Sequence, residues 1–374
     1  MSFFNRHILL KVLSLNAIAV FVQFILGLIS VNIVSVYLGP SGMAFMGNLR
    51  NFTSIFKSIS IVGLKEGFIK LFIENKETEQ RKKVFSSFLS LFGIITIVCS
   101  VIIISFASKW SQLIFQSNQY SHFLILFGLL LPFFTFQSFL AALLNAQQFF
   151  KKLIALQLVS SIVIFAFTTY FTIQNQLEGA ILILVISDVL LLLCTLYFLR
   201  KNEAFHYFNT LKNIDFAYLK SIQKFLFMAL VSAIIIPLTS LLIRNVLIKD
   251  ISLDAAGNWE AVNRISGFYM MFFSAGLSMY YLPKLSALNT DDEFKKELGY
   301  YFKTLVPLFL LVLFLVFVAK NWIIDYVLAS KFQLVKSLLI WQLLGDLFKI
   351  MTLAFGYQIL VKAMLNKYLI IEII

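Results

Sequence analysis

Charged residues inside long apolar stretches are the part of this sequence best suited to chemistry. The basic candidates are Arg50, Lys57, Lys65, Lys70, Arg244, Arg264 and Lys349, and the acidic candidates are Glu66, Asp188 and Asp346. A charge at the centre of a bilayer costs roughly 2.5–3.5 kcal/mol on insertion scales. Each of these residues is therefore a functional candidate unless a neighbouring charge neutralises it.

Some of these charges have a partner at helical spacing. The pairs are Glu66 with Lys70, Glu260 with Arg264, and Asp346 with Lys349. Residues three or four apart share a helix face, so for these pairs structural neutralisation and function are equal alternatives. Arg244 lies near the predicted outer end of its stretch, where a long side chain reaches the headgroups, and we expect it to do so.

Three cations on one stretch have no such local explanation. Arg50, Lys57 and Lys65 lack an uncommitted acid at helical spacing. They follow one another at depths of about 9, 20 and 32 Å at the rise of an α-helix. A helix this polar is expected to line a water-filled cavity. Asp188 has no base three or four residues away, so it is either paired with another helix or protonatable.

The composition excludes most other chemistry. Of the 374 residues, 60% are hydrophobic and 13% are charged, about half the charged fraction of a soluble domain. Cys99 and Cys194 lie in apolar runs, and the three histidines are far apart in the sequence. The sequence therefore predicts no catalytic site, metal site or cofactor, and it indicates a membrane protein.

The elements that must position the charges are membrane-spanning helices. About 20 apolar residues cross the hydrocarbon core, and ten stretches are long enough, with the start of an eleventh. They are residues 12–37, 44–72, 84–107, 120–145, 153–173, 179–199, 222–248, 258–283, 299–319 and 334–359, then 368–374. Gly39 and Pro40 predict a tight turn between the first two. The short final stretch suggests that the sequence stops within a span.

The basic residues predict the orientation. Of 31 Lys and Arg, 19 lie at the N-terminus, in every second loop or at the span ends next to those loops; four lie in the alternate loops, and the other eight lie deeper within spans. The positive-inside rule then places the N-terminus in the cytoplasm. Most of the net charge of +13 reflects topology, so we expect no nucleic-acid partner.

The chain divides into two halves around its longest loop. We predict an N-terminal lobe of six spans over residues 1–205, a cytoplasmic linker over 206–221 and an incomplete C-terminal lobe over 222–374. Gly42 and Asn48 after the first span echo Gly257 and Asn263 in the second half. Such an echo indicates parallel repeats related by an axis along the membrane normal.

Several short motifs resemble a known family. They are Gly39-Pro40-x-Gly42 before Asn48-Leu49-Arg50, Phe225-x2-Met228-Ala229-Leu230 with Pro237 and Arg244, Trp259-Glu260-x2-Asn263-x-Ile265-Ser266, Tyr281-Leu282-Pro283-x-Leu285-Ser286, Ser330-Lys331-Phe332, Trp341-Gln342-Leu343-x-Gly345-Asp346-x2-Lys349, Phe355-Gly356-Tyr357 and Lys362-Ala363. The chain resembles Wzx-type flippases of the MATE-like multidrug/oligosaccharidyl-lipid/polysaccharide exporter superfamily. Its likeness is greatest to the branch that handles the enterobacterial common antigen and related O-antigen units.

The resemblance implies an all-α, polytopic, MATE-like bundle of two lobes, with about eleven of an expected twelve spans present. It implies a flippase that carries undecaprenyl-diphosphate-linked oligosaccharide across the inner membrane by alternating access. Membrane lipid is an implied partner, and so are the polymerase and chain-length regulator of the same pathway. The seven basic candidates would bind the diphosphate. Ion antiport is implied as the energy source, with Asp188, Asp346 and Glu66 as coupling carboxylates.

Other functions remain as alternatives. A MATE-type multidrug or ion antiporter shares the fold but needs carboxylates for cationic drugs, whereas the uncommitted charge here is positive. A non-transporting scaffold of envelope assembly would have these cations paired across helices in a closed bundle. A membrane polymerase or glycosyltransferase would need larger outer loops than the sequence has.

Overall fold

The computed structural model describes residues 6–61, 64–200, 217–288, 290–362 and 364–373. Within these ranges every regular element is a helix. The helices are α1 (Arg6–Ile61), α2 (Leu64–Glu74), α3 (Thr78–Ser105), α4 (Ala107–Phe115), α5 (Ser121–Ala146), α6 (Phe150–Leu199), α7 (Ala217–Asp250), α8 (Leu253–Ala287), α9 (Asp291–Val318), α10 (Lys320–Val327), α11 (Val335–Val361) and α12 (Leu365–Ile373).

Two of the helices are interrupted by a single residue with positive φ. Gly39 has a φ of 64° inside α1, and glycine reaches this region without steric cost. Pro40 follows, where its fixed φ suits the start of a new helix. The turn predicted at Gly39 and Pro40 is therefore confirmed. Gln176 interrupts α6 in the same way, with a φ of 48°.

Nine of the ten predicted spans each correspond to a helix or to one arm of an interrupted helix in the described residues. The kinks split α1 and α6 into the pairs of spans predicted there. Seven described helices are long and apolar enough to cross a membrane. The second predicted span, 44–72, is shared between α1 and α2. The prediction of an all-helical, multi-pass membrane protein is confirmed.

Helix lengths and positions repeat along the chain. The third and ninth spans, α3 and α9, each have 28 residues, and each is followed by a short helix, α4 or α10. The helices α9, α10 and α11 begin 213 or 214 residues after α3, α4 and α5. This spacing agrees with the faint sequence echo between the two halves.

The chain forms two compact units. One contains residues 1–30 and 48–240, and the other contains 31–47 and 241–374. The linker predicted at 206–221 lies mostly outside the described residues, so the predicted lobe boundaries stay a prediction. The grouping of 31–47 with the second unit was not predicted from the sequence.

Each unit has its own apolar core. In the first, a Phe cluster joins α2, α3 and α5, with the Phe139 ring centroid 4.8 Å from that of Phe68 and 5.0 Å from that of Phe85. In the second, α8, α9 and α11 pack together, and the Tyr301 hydroxyl donates to the Ile350 carbonyl at 2.5 Å. Each core thus packs helices of its own unit against one another.

Candidate functional site

Two arginines share one carboxylate in the second unit. Arg244 on α7 contacts Glu260 Oε2 through Nη2 at 2.5 Å, and Arg264 on α8 contacts Glu260 Oε1 through Nε at 2.9 Å. The expected pairing of Glu260 with Arg264 is confirmed. Two positive groups on one negative group leave a net positive charge. We call Arg244, Glu260 and Arg264 the arginine cluster.

The surroundings of the arginine cluster are shaped to hold it. Arg244 is 1% exposed, so the expectation that its side chain reaches the headgroups is wrong. Its guanidinium lies 5.3 Å from the centroid of the Trp259 ring. A Cβ on Gly47 would lie 2.7 Å from the Glu260 carboxyl carbon and 2.8 Å from the Arg244 guanidinium carbon. Glycine at this position therefore leaves the space that the ion pair occupies.

The cluster is also open on one side. The side chain of Arg264 is 33% exposed, whereas those of Arg244 and Glu260 are 2% and 6% exposed. Only the Nε of Arg264 is used in its contact with Glu260, and the fork of terminal N–H groups matches the geometry of a phosphate. Arg264 is therefore the member that an anion reaches first.

A buried carboxylate lies elsewhere in the second unit. Asp346 on α11 is 3% exposed and accepts hydrogen bonds from Ser266 at 2.6 Å, from Gln342 at 3.1 Å and from the Tyr269 hydroxyl. All three donors are neutral, and Asp346 has no ion pair among the residues that the structure describes. The predicted pair with Lys349 is wrong, because Lys349 is exposed while the carboxylate is turned towards α8.

Lys57 and Asp188 form an ion pair in the first unit. Lys57 Nζ lies 2.5 Å from Asp188 Oδ2, with the two side chains 19% and 7% exposed. Of the two alternatives for Asp188, a partner on another helix is the one observed, since Lys57 is on α1 and Asp188 on α6. The same ammonium lies 5.2 Å from the ring centroid of Phe134 and 6.0 Å from that of Phe127. Its charge is thus neutralised within the helix bundle.

The remaining candidates are less enclosed. Arg50 and Lys65 are half-buried, on α1 and α2. Lys70 is 66% exposed and pairs with Glu74, four residues after it, at 3.9 Å; its predicted pairing with Glu66 stays a prediction. The side chain of Glu66 lies outside the described residues. The binding and coupling roles assigned to these candidates stay predictions.

Sequence reasoning missed the residues that hold the charges in place. Ser266 and Tyr269 reach Asp346 from a different helix, and Phe127 and Phe134 flank Lys57 from α5. Spacing along one helix reveals only contacts at three and four residues. Gly47 carried a weak signal, because glycine in a helix interior costs stability and so suggests a close approach.

Comparison with solved structures defines the class. An inward-facing multidrug resistance MATE transporter of the MOP superfamily aligns with a TM-score of 0.73 and 17% identity, over 94% of this chain and 83% of that chain. A MOP superfamily transporter from Pyrococcus furiosus, described as having a binding pocket of reverse polarity, aligns with a TM-score of 0.66 and 15% identity over 97% and 85%. The protein therefore has the MATE-like fold that the sequence predicts.

Sequence comparison then gives the family. The model of the polysaccharide biosynthesis protein family matches residues 9–289, and the chain belongs to this family. The Lipid III flippase of Escherichia coli (strain K12) is 26% identical over 350 residues, which are 93% of this chain and 84% of that protein. These relatives are flippases and transporters, so the expectation of a transport protein rather than an enzyme is confirmed.

Proposed function

We propose that the protein is a flippase for a polyprenyl-diphosphate-linked oligosaccharide and that the arginine cluster binds the diphosphate. The single observation that carries this proposal is the net positive charge of Arg244, Glu260 and Arg264, held by two helices of a MATE-like fold. A diphosphate cannot enter hydrocarbon without compensating charge. Similarity to a Lipid III flippase supports a lipid-linked substrate.

Glu260 has a positioning role in this proposal. It fixes Arg244 and Arg264 in one orientation, and it lowers the cost of burying the Arg244 guanidinium. A phosphate that meets Arg264 does not have to displace Glu260, because the terminal nitrogens of Arg264 are not used in that contact. Moderate attraction suits a transporter, since the substrate must leave on the other side of the membrane.

Lys57 contributes in a different way. Its ammonium is neutralised by Asp188, so it becomes available to an anion only when that carboxylate releases it. Protonation of Asp188 would do so, and this makes Asp188 one coupling carboxylate of the proposal. Asp346 is the second, because it is buried with neutral donors only among the described residues. Arg50 and Lys65 belong to the proposed path for the anion.

The finer parts of the proposal follow from the family resemblance and, for the orientation, from the distribution of basic residues among the loops. We propose an O-antigen or common-antigen unit as the oligosaccharide, the inner membrane as the location and a cytoplasmic N-terminus. The polymerase and the chain-length regulator of the same pathway are the proposed protein partners. The charge distribution of the loops supports the orientation.

The test is the substitution Arg264→Ala. A hydrogen bond to a charged group is worth about 1.5–3 kcal/mol, so the affinity for a diphosphate should fall on the order of 10- to 100-fold. We expect lipid-linked oligosaccharide to accumulate on the inner leaflet, while Arg244 and Glu260 remain paired and the protein remains folded.

Lys336→Ala is the matched control. Lys336 is 30% exposed and pairs with Asp325 at 2.8 Å, which closely resembles the 33% exposure and 2.9 Å of the Arg264 contact. Normal flipping by Arg264→Ala would contradict the proposal, because the arginine cluster would then not be the site that binds the diphosphate. A loss of dye export in cells given a lipophilic cation, with oligosaccharide flipping intact, would favour the MATE-type drug antiporter.

A further inference from the structure

A cavity in the second unit lies apart from the arginine cluster. It has a volume of about 670 Å³ and is lined by α8 and α9, mainly through Phe, Leu and Tyr side chains; the lining residues are Phe272, Phe273, Leu277, Tyr281, Lys284, Glu297, Tyr300, Thr304 and Leu305. Pockets that hold small molecules have volumes of about 300–1,000 Å³. The cavity is thus large enough for a substantial part of an amphiphile.

The charged groups of this cavity are at one end. Lys284 is in the last turn of α8, Glu297 is near the start of α9, and Nζ of the lysine lies 2.6 Å from Oε2 of the glutamate. Phe272 is 12 residues before Lys284 on the same helix, which is about 18 Å at 1.5 Å per residue. The hydrocarbon part of one leaflet is about 15 Å thick. The cavity therefore extends from a charged end along roughly one leaflet.

We propose that this cavity binds an aminophospholipid of the leaflet that adjoins the α8–α9 turn. Its phosphate contacts the Lys284 ammonium, its primary ammonium contacts the Glu297 carboxylate, and an acyl chain occupies the aromatic part of the cavity. This inference goes beyond the proposed transport function and does not depend on it. The loop charges predict that the leaflet is the cytoplasmic one.

Charge complementarity selects this lipid over others. The ion pair presents one positive and one negative group at the mouth, with side chains 36% and 8% exposed. The half-exposed lysine can be reached by a ligand from the cavity, and both charges lie within the cavity lining. A zwitterionic headgroup with a hydrogen-bonding ammonium matches both charges. The anionic headgroup of phosphatidylglycerol has no ammonium to pair with the Glu297 carboxylate. A choline headgroup has a positive charge but no N–H to donate.

The experiment measures lipid retained by the purified full-length chain. Native mass spectrometry would compare phosphatidylethanolamine, phosphatidylglycerol and phosphatidylcholine with identical acyl chains. We expect retention of the ethanolamine lipid at least about tenfold above the others, the size expected for one hydrogen bond to a charged group. Equal retention of all three lipids, or a preference for phosphatidylglycerol, would overturn the proposal.

Two substitutions separate the headgroup from the chain. Glu297→Gln should abolish the preference for ethanolamine, whereas Asp325→Asn, which alters an ion pair outside the cavity, should preserve it. Thr304→Trp should reduce retention of every lipid by filling the cavity. Thr352→Trp is its control, because Thr352 is also exposed and bonded to a carbonyl four residues earlier but does not line the cavity.

These outcomes are independent of transport. Wild-type retention of phosphatidylethanolamine by Thr304→Trp would overturn the cavity assignment even if Arg264→Ala stops flipping. If Glu297→Gln does not fold, the lipid comparison on the unmodified chain and the Thr304→Trp measurement still decide the question. A lipid preference in a protein that flips nothing would support the cavity assignment and contradict only the transport proposal.

Discussion

Exchanging the charges of Lys57 and Asp188 tests whether Lys57 only forms a structural ion pair or also binds the substrate. The pair joins α1 to α6 at 2.5 Å, inside the first unit. Three variants are needed: Lys57→Gln, Asp188→Asn and the exchange Lys57→Asp with Asp188→Lys. The exchange retains the ion pair but moves the ammonium from α1 to α6.

The magnitudes follow from burial. Removing one partner of a buried pair costs about 3–5 kcal/mol, because the other charge is left without compensation. Lys57→Gln leaves Asp188 alone with its side chain 7% exposed. Asp188→Asn removes the carboxylate that neutralises Lys57, but the Lys57 side chain is more exposed than that of Asp188, at 19%. It also stays near the rings of Phe127 and Phe134, and each of these contacts is worth about 0.5–2 kcal/mol. We therefore expect Asp188→Asn to be the less destabilising of the two.

Two assays are applied to the same variants. Melting of the purified protein reports stability, and inner-leaflet accumulation of lipid-linked oligosaccharide reports flipping. The exchange variant should recover most of the stability lost by Lys57→Gln, yet it should not flip, because the cation now extends from a different helix. Lys82→Gln is the control, since Lys82 is 17% exposed and pairs with Glu79 at 2.8 Å.

Two results would refute this reasoning. If the exchange variant flips like the wild type, Lys57 serves only as a structural partner and does not bind substrate. If the combined variant Lys57→Gln with Asp188→Asn loses as much stability as the two single variants added together, the two groups are not coupled in energy. In that case the contact contributes no stability, and the exchange experiment loses its basis.

Two further substitutions test the second unit. Gly47→Ala places a Cβ 2.7 Å from the Glu260 carboxyl carbon. This overpacking should cost about 1–3 kcal/mol of stability and lower the melting temperature. Gly93→Ala is the control: a Cβ there meets nothing within 4 Å, so the melting temperature should not fall. Asp346→Asn removes an ionisable group and replaces an acceptor with a donor, so we expect a flatter pH profile of flipping and a loss of about 1–3 kcal/mol. A wild-type pH profile in this variant would make Asp346 a structural residue only.

The spans were predictable because the bilayer imposes a simple rule. A helix must present about 20 apolar residues to cross it, so hydropathy alone locates α3, α5 and α11, and the turn at Gly39 follows from glycine and proline chemistry. The pairing of Glu260 with Arg264 was equally accessible, because contacts within one helix depend only on spacing. A resemblance in short motifs indicated the superfamily.

What the sequence by itself determined is therefore local: which segments are helical, which charges lie within them and which of those charges share a helix face. Only the tertiary structure decided that Lys57 meets Asp188, that Arg244 is buried against Glu260 and that Asp346 faces Ser266 instead of Lys349. Each of these contacts joins residues at least 16 positions apart, on different helices. Their partners depend on how helices rotate and pack, and the period of a single helix carries no information about that.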